Sequence, residues 1–300
     1  MHYDTIIVGG SFAGLSAAMY LARSRKSVCV VDAGEPRNRF AAQSHGFFAQ
    51  DGSDPNDMLG TMREQVAAYP TVSFVNDAAV DAFEKGGLFS VALWSGAIVT
   101  GKRLLLAFGI SDILPETPGL AQRWGTSVIH CPYCHGYEFS GRQLGVLNLS
   151  PMSHHQAMLV SEWGPTTFYL DGGDLGAAES EALVRRGIRI QPETVERLAG
   201  DGPDLSEIHL ANNQTRSLDA LFISPRNRLT SAIAEQMGCA TETSPLGQIV
   251  KVDAMQMTSV TNVYAAGDIT RTAHNVTFAC ADGVMAAMTI HRSLVFEAAA

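Results

Sequence analysis

Thr5-Ile6-Ile7-Val8-Gly9-Gly10-Ser11-Phe12-Ala13-Gly14 opens the chain as an apolar run broken by a glycine-rich turn. Thr5 to Val8 is short and apolar, as a strand buried on both faces should be. From Leu15 to Ser24 the residues Leu15, Ala18, Met19 and Ala22 recur at helical spacing, and Ser27 to Val31 reads as a second strand that ends at Asp32. Strand, glycine turn, helix and strand in this order predict a βαβ unit on a parallel sheet. Such a turn lets backbone amides approach a ligand closely, and the partial positive charge of the helix start favours a pyrophosphate. An acidic residue at the end of the second strand is suited to ribose hydroxyls. Gly9, Ser11, Phe12, Ala13, Gly14 and Asp32 are therefore candidate dinucleotide-binding residues, with Ser11 adding bulk where the fingerprint has its central glycine. Taken alone, the turn also fits a ligand-free βα junction.

The far end carries a second signal. Thr258-Ser259-Val260-Thr261-Asn262-Val263-Tyr264-Ala265-Ala266-Gly267-Asp268 delivers a carboxylate from a buried strand, Val263 to Ala266, toward a helix expected from about Val276 to His291. This segment resembles the second FAD-binding motif of flavoproteins built from two dinucleotide-type domains. By that resemblance Asp268, after Gly267, binds the ribityl chain, and the cofactor of the paired motifs is FAD.

Between them lies His130-Cys131-Pro132-Tyr133-Cys134-His135. One turn of helix brings cysteines at this spacing together, and Pro132 suits a first helical position, where its missing amide is no loss. A flanking base and a helix start both favour the thiolate that performs disulfide exchange. The alternatives are a zinc half-site and two buried thiols. Zinc normally takes four ligands from two separated knuckles, and the sequence has no second Cys-X-X-Cys, so no metal is expected. Cys29, Cys239 and Cys280 read as packing residues.

With FAD-type motifs at both ends and the dithiol between, the chain from residue 4 to about 292 resembles the low-molecular-weight thioredoxin reductase family of flavin disulfide oxidoreductases. The resemblance implies two Rossmann-like, three-layer domains. One would be a discontinuous FAD-binding domain over 1–112 and 246–300, the other an NAD(P)-type domain over 113–245 carrying the dithiol. It implies that Gly109, after Arg103 to Phe108, closes the first FAD segment, that Cys134 lies near the flavin, and that Cys131 exchanges with substrate. It also implies a homodimer. His135 stands where that family usually has an aspartate; an imidazole can take a thiol proton at neutral pH. His130 is a second candidate base, and Arg37 and Arg39, in the loop after Asp32, are candidates for the cofactor's anionic side.

The central domain departs from the family pattern. Between an expected strand, Gln143 to Leu149, and an expected helix, His155 to Trp163, the turn Asn148-Leu149-Ser150-Pro151-Met152-Ser153-His154-His155 contains no glycine. Pro151 removes an amide, and Cβ atoms hold a pyrophosphate away. After the next strand, Asp171-Gly172-Gly173-Asp174 places carboxylates where the 2′-phosphate of NADPH would need cations. A retained fold with a degenerate nicotinamide site resembles the dithiol oxidase branch of gliotoxin and holomycin type, which uses FAD and oxygen on small dithiols.

Composition sets the outer bounds. The 300 residues are 46% hydrophobic and 17% charged, enough for two cores. A net charge of −9 without a basic stripe argues against a nucleic-acid partner. No run approaches the ~20 apolar residues of a membrane span, and Met1-His2-Tyr3-Asp4 leads directly into the first strand without a secretory pattern. A cytoplasmic enzyme is expected, acting on a small-molecule or peptide dithiol. The competing expectations are a disulfide reductase fed by NAD(P)H or a protein donor, with a thioredoxin-like partner, and a flavin-bound redox sensor.

Overall fold

A computed structural model of the chain describes residues 2–296. The α/β architecture expected from the sequence is present, as two mainly parallel sheets with helices packed on them. The chain divides into two compact units: residues 1–37, 56–111 and 228–300 form the first, and residues 38–55 and 112–227 the second. Among the described residues, no helix is long and apolar enough to cross a membrane.

The first unit is organised on the strand His2–Val8. It pairs in parallel with Val28–Asp32 on one side and Ile98–Leu106 on the other, and Val72–Asn76 extends the sheet beyond Val28–Asp32. Ile98–Leu106 is long enough to serve two neighbours on its outer edge. Its first residues pair antiparallel with Leu88–Leu93, and Leu104 to Leu106 pair in parallel with Val263–Ala265.

Alternation along these strands fills both faces. Ile6, Val8, Val31 and Leu104 belong to one core, completed by Phe89 and Val91 from the hairpin and by Ile233, Ala234 and Cys239. Ile7, Val28, Val30 and Leu105 belong to the other, where the helices Phe12–Arg23 and Val276–Phe296 supply Leu15, Ala18, Leu21, Ala286 and Ile290. Each fully buried isoleucine or leucine here contributes about 1.5–3 kcal/mol. The first helix begins at Phe12, earlier than Leu15, because Ser11 is the extended N-cap residue and Phe12 and Ala13 are already buried.

The second unit has a five-stranded parallel sheet ordered Arg189–Gln191, Thr166–Tyr169, Leu144–Leu147, Ala220–Ile223 and Val128–Ile129. A three-stranded antiparallel meander, Val195–Ala199, Glu207–Leu210 and Thr215–Ser217, lies beside it in sequence. The helix expected at His155 to Trp163 is Ser153–Val160, with Ser153, Gln156, Ala157 and Val160 buried.

Two stretches fall outside the expected domain limits of 1–112, 246–300 and 113–245. Residues 228–245 join the first unit because Ile233, Ala234 and Cys239 share a core with Val31 and Leu104. Residues 38–55 group with the second unit, where Phe40 packs so tightly on Gly125 that a Cβ on that glycine would stand 2.8 Å from the Phe40 carbonyl carbon.

Candidate functional site

In the first unit the two terminal motifs converge. Gly9 has φ +113°, and a Cβ there would lie 2.2 Å from the Ala107 carbonyl oxygen; on Gly14 it would lie 1.8 Å from the Gly9 carbonyl oxygen. On Gly10 it would meet the Asp32 carboxylate at 2.7 Å. The turn is thus closed backbone against backbone, with Asp32 at its edge. From the other end of the chain, Gly267 approaches Ala13, where an added Cβ would sit 3.0 Å from the Ala13 Cβ. Gly283 lies closer still, with its Cβ position 2.1 Å from the Ala13 carbonyl oxygen. Ser11 caps the first helix without a side-chain hydrogen bond, and no acidic residue stands in that helix's first turn. The helix start is electrically suited to an anionic group.

Asp32 and Asp268 each meet an arginine. Arg63, on the helix Pro55–Ala67, places its guanidinium 3.4 Å from Asp32 while stacking 4.3 Å over the Phe74 ring. Arg37 donates to Asp268 at 3.1 Å. Arg39 stacks on Phe40, at 4.3 Å, within the segment grouped with the second unit. Gly109 has φ +76° with open space around its Cβ position, so backbone conformation rather than contact favours glycine there. His274 is tied to the Arg271 carbonyl at 3.0 Å, and Arg271 pairs with the buried carboxylate of Asp282.

The second unit holds the dithiol. Cys131 is the extended N-cap of the short helix Pro132–His135, with Pro132 at its first position as the sequence suggests. The Cys134 amide donates to the Cys131 carbonyl at 3.3 Å, and both cysteines are of intermediate exposure. Gly136 follows because a Cβ would collide with the Pro132 carbonyl at 2.5 Å and the Trp163 ring at 2.8 Å. Tyr133 crosses the same Trp163 edge-on, 5.9 Å between centroids.

The two histidines of the motif have different surroundings. His130 closes the strand Val128–Ile129; its Nδ1 lies 3.3 Å from the Ile223 carbonyl, and its own carbonyl accepts from Gln156 at 2.7 Å. That ring is anchored to the sheet. His135 stands at the helix end, where burial, reinforced by the charge of His45 and opposed by Glu138, pushes its pKa below the ordinary 6.5. It is neutral at pH 7 and can accept a proton. His45, which the motif gives no reason to single out, crosses His135 edge-on with ring centroids 5.8 Å apart.

The remaining thiols have other environments. Burial pushes Cys29 up to about 11 and also raises Cys239 and Cys280, so all three are protonated packing groups at neutral pH.

The loop after Leu144–Leu147 is closed by side chains. Ser153 Oγ accepts from the amides of Leu149 at 3.0 Å and Ser150 at 3.1 Å, and Ser150 Oγ accepts from Met152 at 3.3 Å. Beyond the next strand, the Asp171 carboxylate accepts the Val195 amide at 2.7 Å.

A glycine-closed turn before a helix, a second glycine-aspartate turn against it and a separate Cys-X-X-Cys define the class of flavin-dependent disulfide oxidoreductases. Residues 3–147 and 168–284 match the family model described as pyridine nucleotide-disulphide oxidoreductase. The chain belongs to this family; it is an oxidoreductase of thioredoxin reductase-like type, and its cofactor is FAD. Thioredoxin reductase tcpT of Claviceps purpurea is 29% identical, over 88% of this chain and 86% of that protein. Thioredoxin reductase sirT of Leptosphaeria maculans is 28% identical, over 95% and 92%. Among solved structures, an oxidoreductase from Agrobacterium tumefaciens superposes with a TM-score of 0.94 at 42% identity, covering 99% of each chain. HlmI gives 0.94 at 32% identity, covering 99% of this chain and 94% of its own.

Proposed function

We propose that the chain is an FAD-dependent dithiol oxidase that closes a disulfide in a small-molecule or peptide dithiol and delivers the electrons to oxygen. The observation that carries this reading is the loop Leu149 to Ser153. Three of its amides are already bonded to the Ser150 and Ser153 hydroxyls, and Pro151 has none to give. A pyridine nucleotide needs such amides for its pyrophosphate.

In this reading a substrate thiolate attacks Cys131 Sγ of the oxidised pair, the Cys131–Cys134 bond breaks, and Cys134 leaves as a thiolate. The second substrate thiolate then attacks the substrate sulfur of the mixed disulfide, forming the product disulfide and releasing Cys131. The substrate loses two electrons and two protons. His135, neutral at pH 7, takes a thiol proton at its ring nitrogen; His130 holds the strand end that carries Cys131. Bound FAD would supply the two-electron acceptor that lets the Cys131–Cys134 bond re-form, with oxygen as the final oxidant. Gly9, Ser11, Phe12, Ala13, Gly14, Asp32, Gly109, Gly267 and Asp268 are the residues proposed to hold it, with Arg37 and Arg63 at the two carboxylates. A homodimer in the cytoplasm completes the proposal.

The thioredoxin reductase names of tcpT and sirT favour a second reading, a reductase fed by NAD(P)H or a protein donor and acting on a thioredoxin-like partner. Anaerobic mixing of the holoenzyme with dithiothreitol, and separately with NADPH, while following flavin absorbance separates the two. Bleaching by the dithiol and recovery in oxygen support the oxidase; rapid bleaching by NADPH makes it a reductase.

A further inference from the structure

We infer that His45 is a positioning residue of the dithiol centre, forming with Glu138 the route by which a proton leaves His135 for solvent. The inference rests on the reading of Cys131 and Cys134 as an exchange pair with His135 as proton acceptor. A base that takes one proton per turnover must lose it again, and His135 is a half-buried group with a lowered proton affinity.

The geometry supplies an outward path. A polar side-chain atom from each of His45, His135 and Glu138 lies within 4.8 Å of the other two. His45 Nε2 is 3.6 Å from Glu138 Oε1, and its Nδ1 is 3.6 Å from Asp51 Oδ1. The side chains grow more exposed outward, 16% for His45, 34% for Glu138 and 73% for Asp51. Separations of 3.6 Å exceed a direct hydrogen bond by a few tenths of an ångström, which a small ring rotation closes. An imidazole has two nitrogens, so His45 can accept a proton on one and release it from the other.

The loop is built to hold this arrangement. Ser44 and Ser53 pair as an antiparallel bridge, with the Ser44 amide donating to the Ser53 carbonyl at 2.8 Å. The Gly46 amide donates to the Asp51 carboxylate at 2.8 Å, fixing the acid beside the His45 ring. The other titratable groups of its own turn are Cys131 at the N-cap, Tyr133 and Cys134, and the helix Ser153–Val160, which carries His154 and His155, packs against that turn.

The test compares holoenzyme with His45→Gln and Glu138→Gln. Dithiothreitol-driven flavin bleaching is measured anaerobically from about pH 5.5 to 8.5, with and without added imidazole, and the His135 ring is titrated by NMR. His45→Gln should bleach about tenfold to a hundredfold slower near neutral pH and recover with imidazole, at unchanged flavin content. His135 should titrate higher without His45 and lower without the Glu138 charge. Wild-type rates and profiles in both variants, an unchanged His135 titration, or a uniform slowing that imidazole does not relieve would each overturn the relay. Failure of dithiothreitol to bleach the wild-type enzyme would remove the exchange reading itself, and the relay with it.

Discussion

Ser153 holds Ser150: its hydroxyl accepts the Ser150 amide at 3.1 Å and, with its second lone pair, the neighbouring Leu149 amide at 3.0 Å. A fully buried serine thereby occupies the amides at the end of the strand Leu144–Leu147. NADPH and NADH are expected to leave the flavin absorbance unchanged over the time in which a dithiol bleaches it. Ser153→Ala would strip two amides of their acceptor and should destabilise the second unit by about 1–3 kcal/mol, measured by urea unfolding.

Cys131→Ser and Cys134→Ser should each abolish dithiol-driven bleaching while retaining flavin, since the glycine turns lie in a different unit. The flavin-to-protein absorbance ratio checks retention. Loss of flavin in either variant would recast the pair as structural.

His135 sets a pH dependence with a definite sign. Its folded pKa is depressed below 6.5, so the unfolded chain binds that proton more readily. The associated stability is fully present above about pH 6.5 and is lost as pH falls through the lower folded value. The rate of dithiol-driven bleaching should rise through that same window as the imidazole becomes neutral. His135→Ala should remove the inflection and slow the neutral-pH rate about a hundredfold at unchanged flavin content; an unaltered profile would exclude His135 as the acceptor.

The glycines make separable predictions. Gly14→Ala forces a Cβ to 1.8 Å from the Gly9 carbonyl and should cost about 3 kcal/mol or more, together with flavin. Gly109→Ala meets no atom within 4 Å and pays only for its positive φ, about 1 kcal/mol. Unfolding curves and flavin content on both variants would show whether close approach or backbone conformation governs the turn.

Much of the site was legible in the sequence. Strand Thr5 to Val8, the turn to Gly14, Asp32, the Gly267-Asp268 segment and Pro132 at a helix start are local patterns, and local patterns follow from periodicity, backbone freedom and the missing proline amide. Less legible were the partners. Arg63 sits on an amphipathic helix with nothing in its spacing to point at Asp32, and Arg39, plausible by its position after Asp32, stacks on Phe40 while Arg37 reaches Asp268.

By itself, the sequence determined the α/β class, the two glycine turns, the dithiol and the glycine-free loop, because each depends on residues adjacent in the chain. Only the tertiary structure decided that residues 38–55 group with the second unit and bring His45 against His135, and that Ser153 fills the loop's amides. Those outcomes depend on which distant surfaces bury each other and which hydroxyl rotates toward an unpaired amide. Neither leaves a periodic trace in a linear sequence.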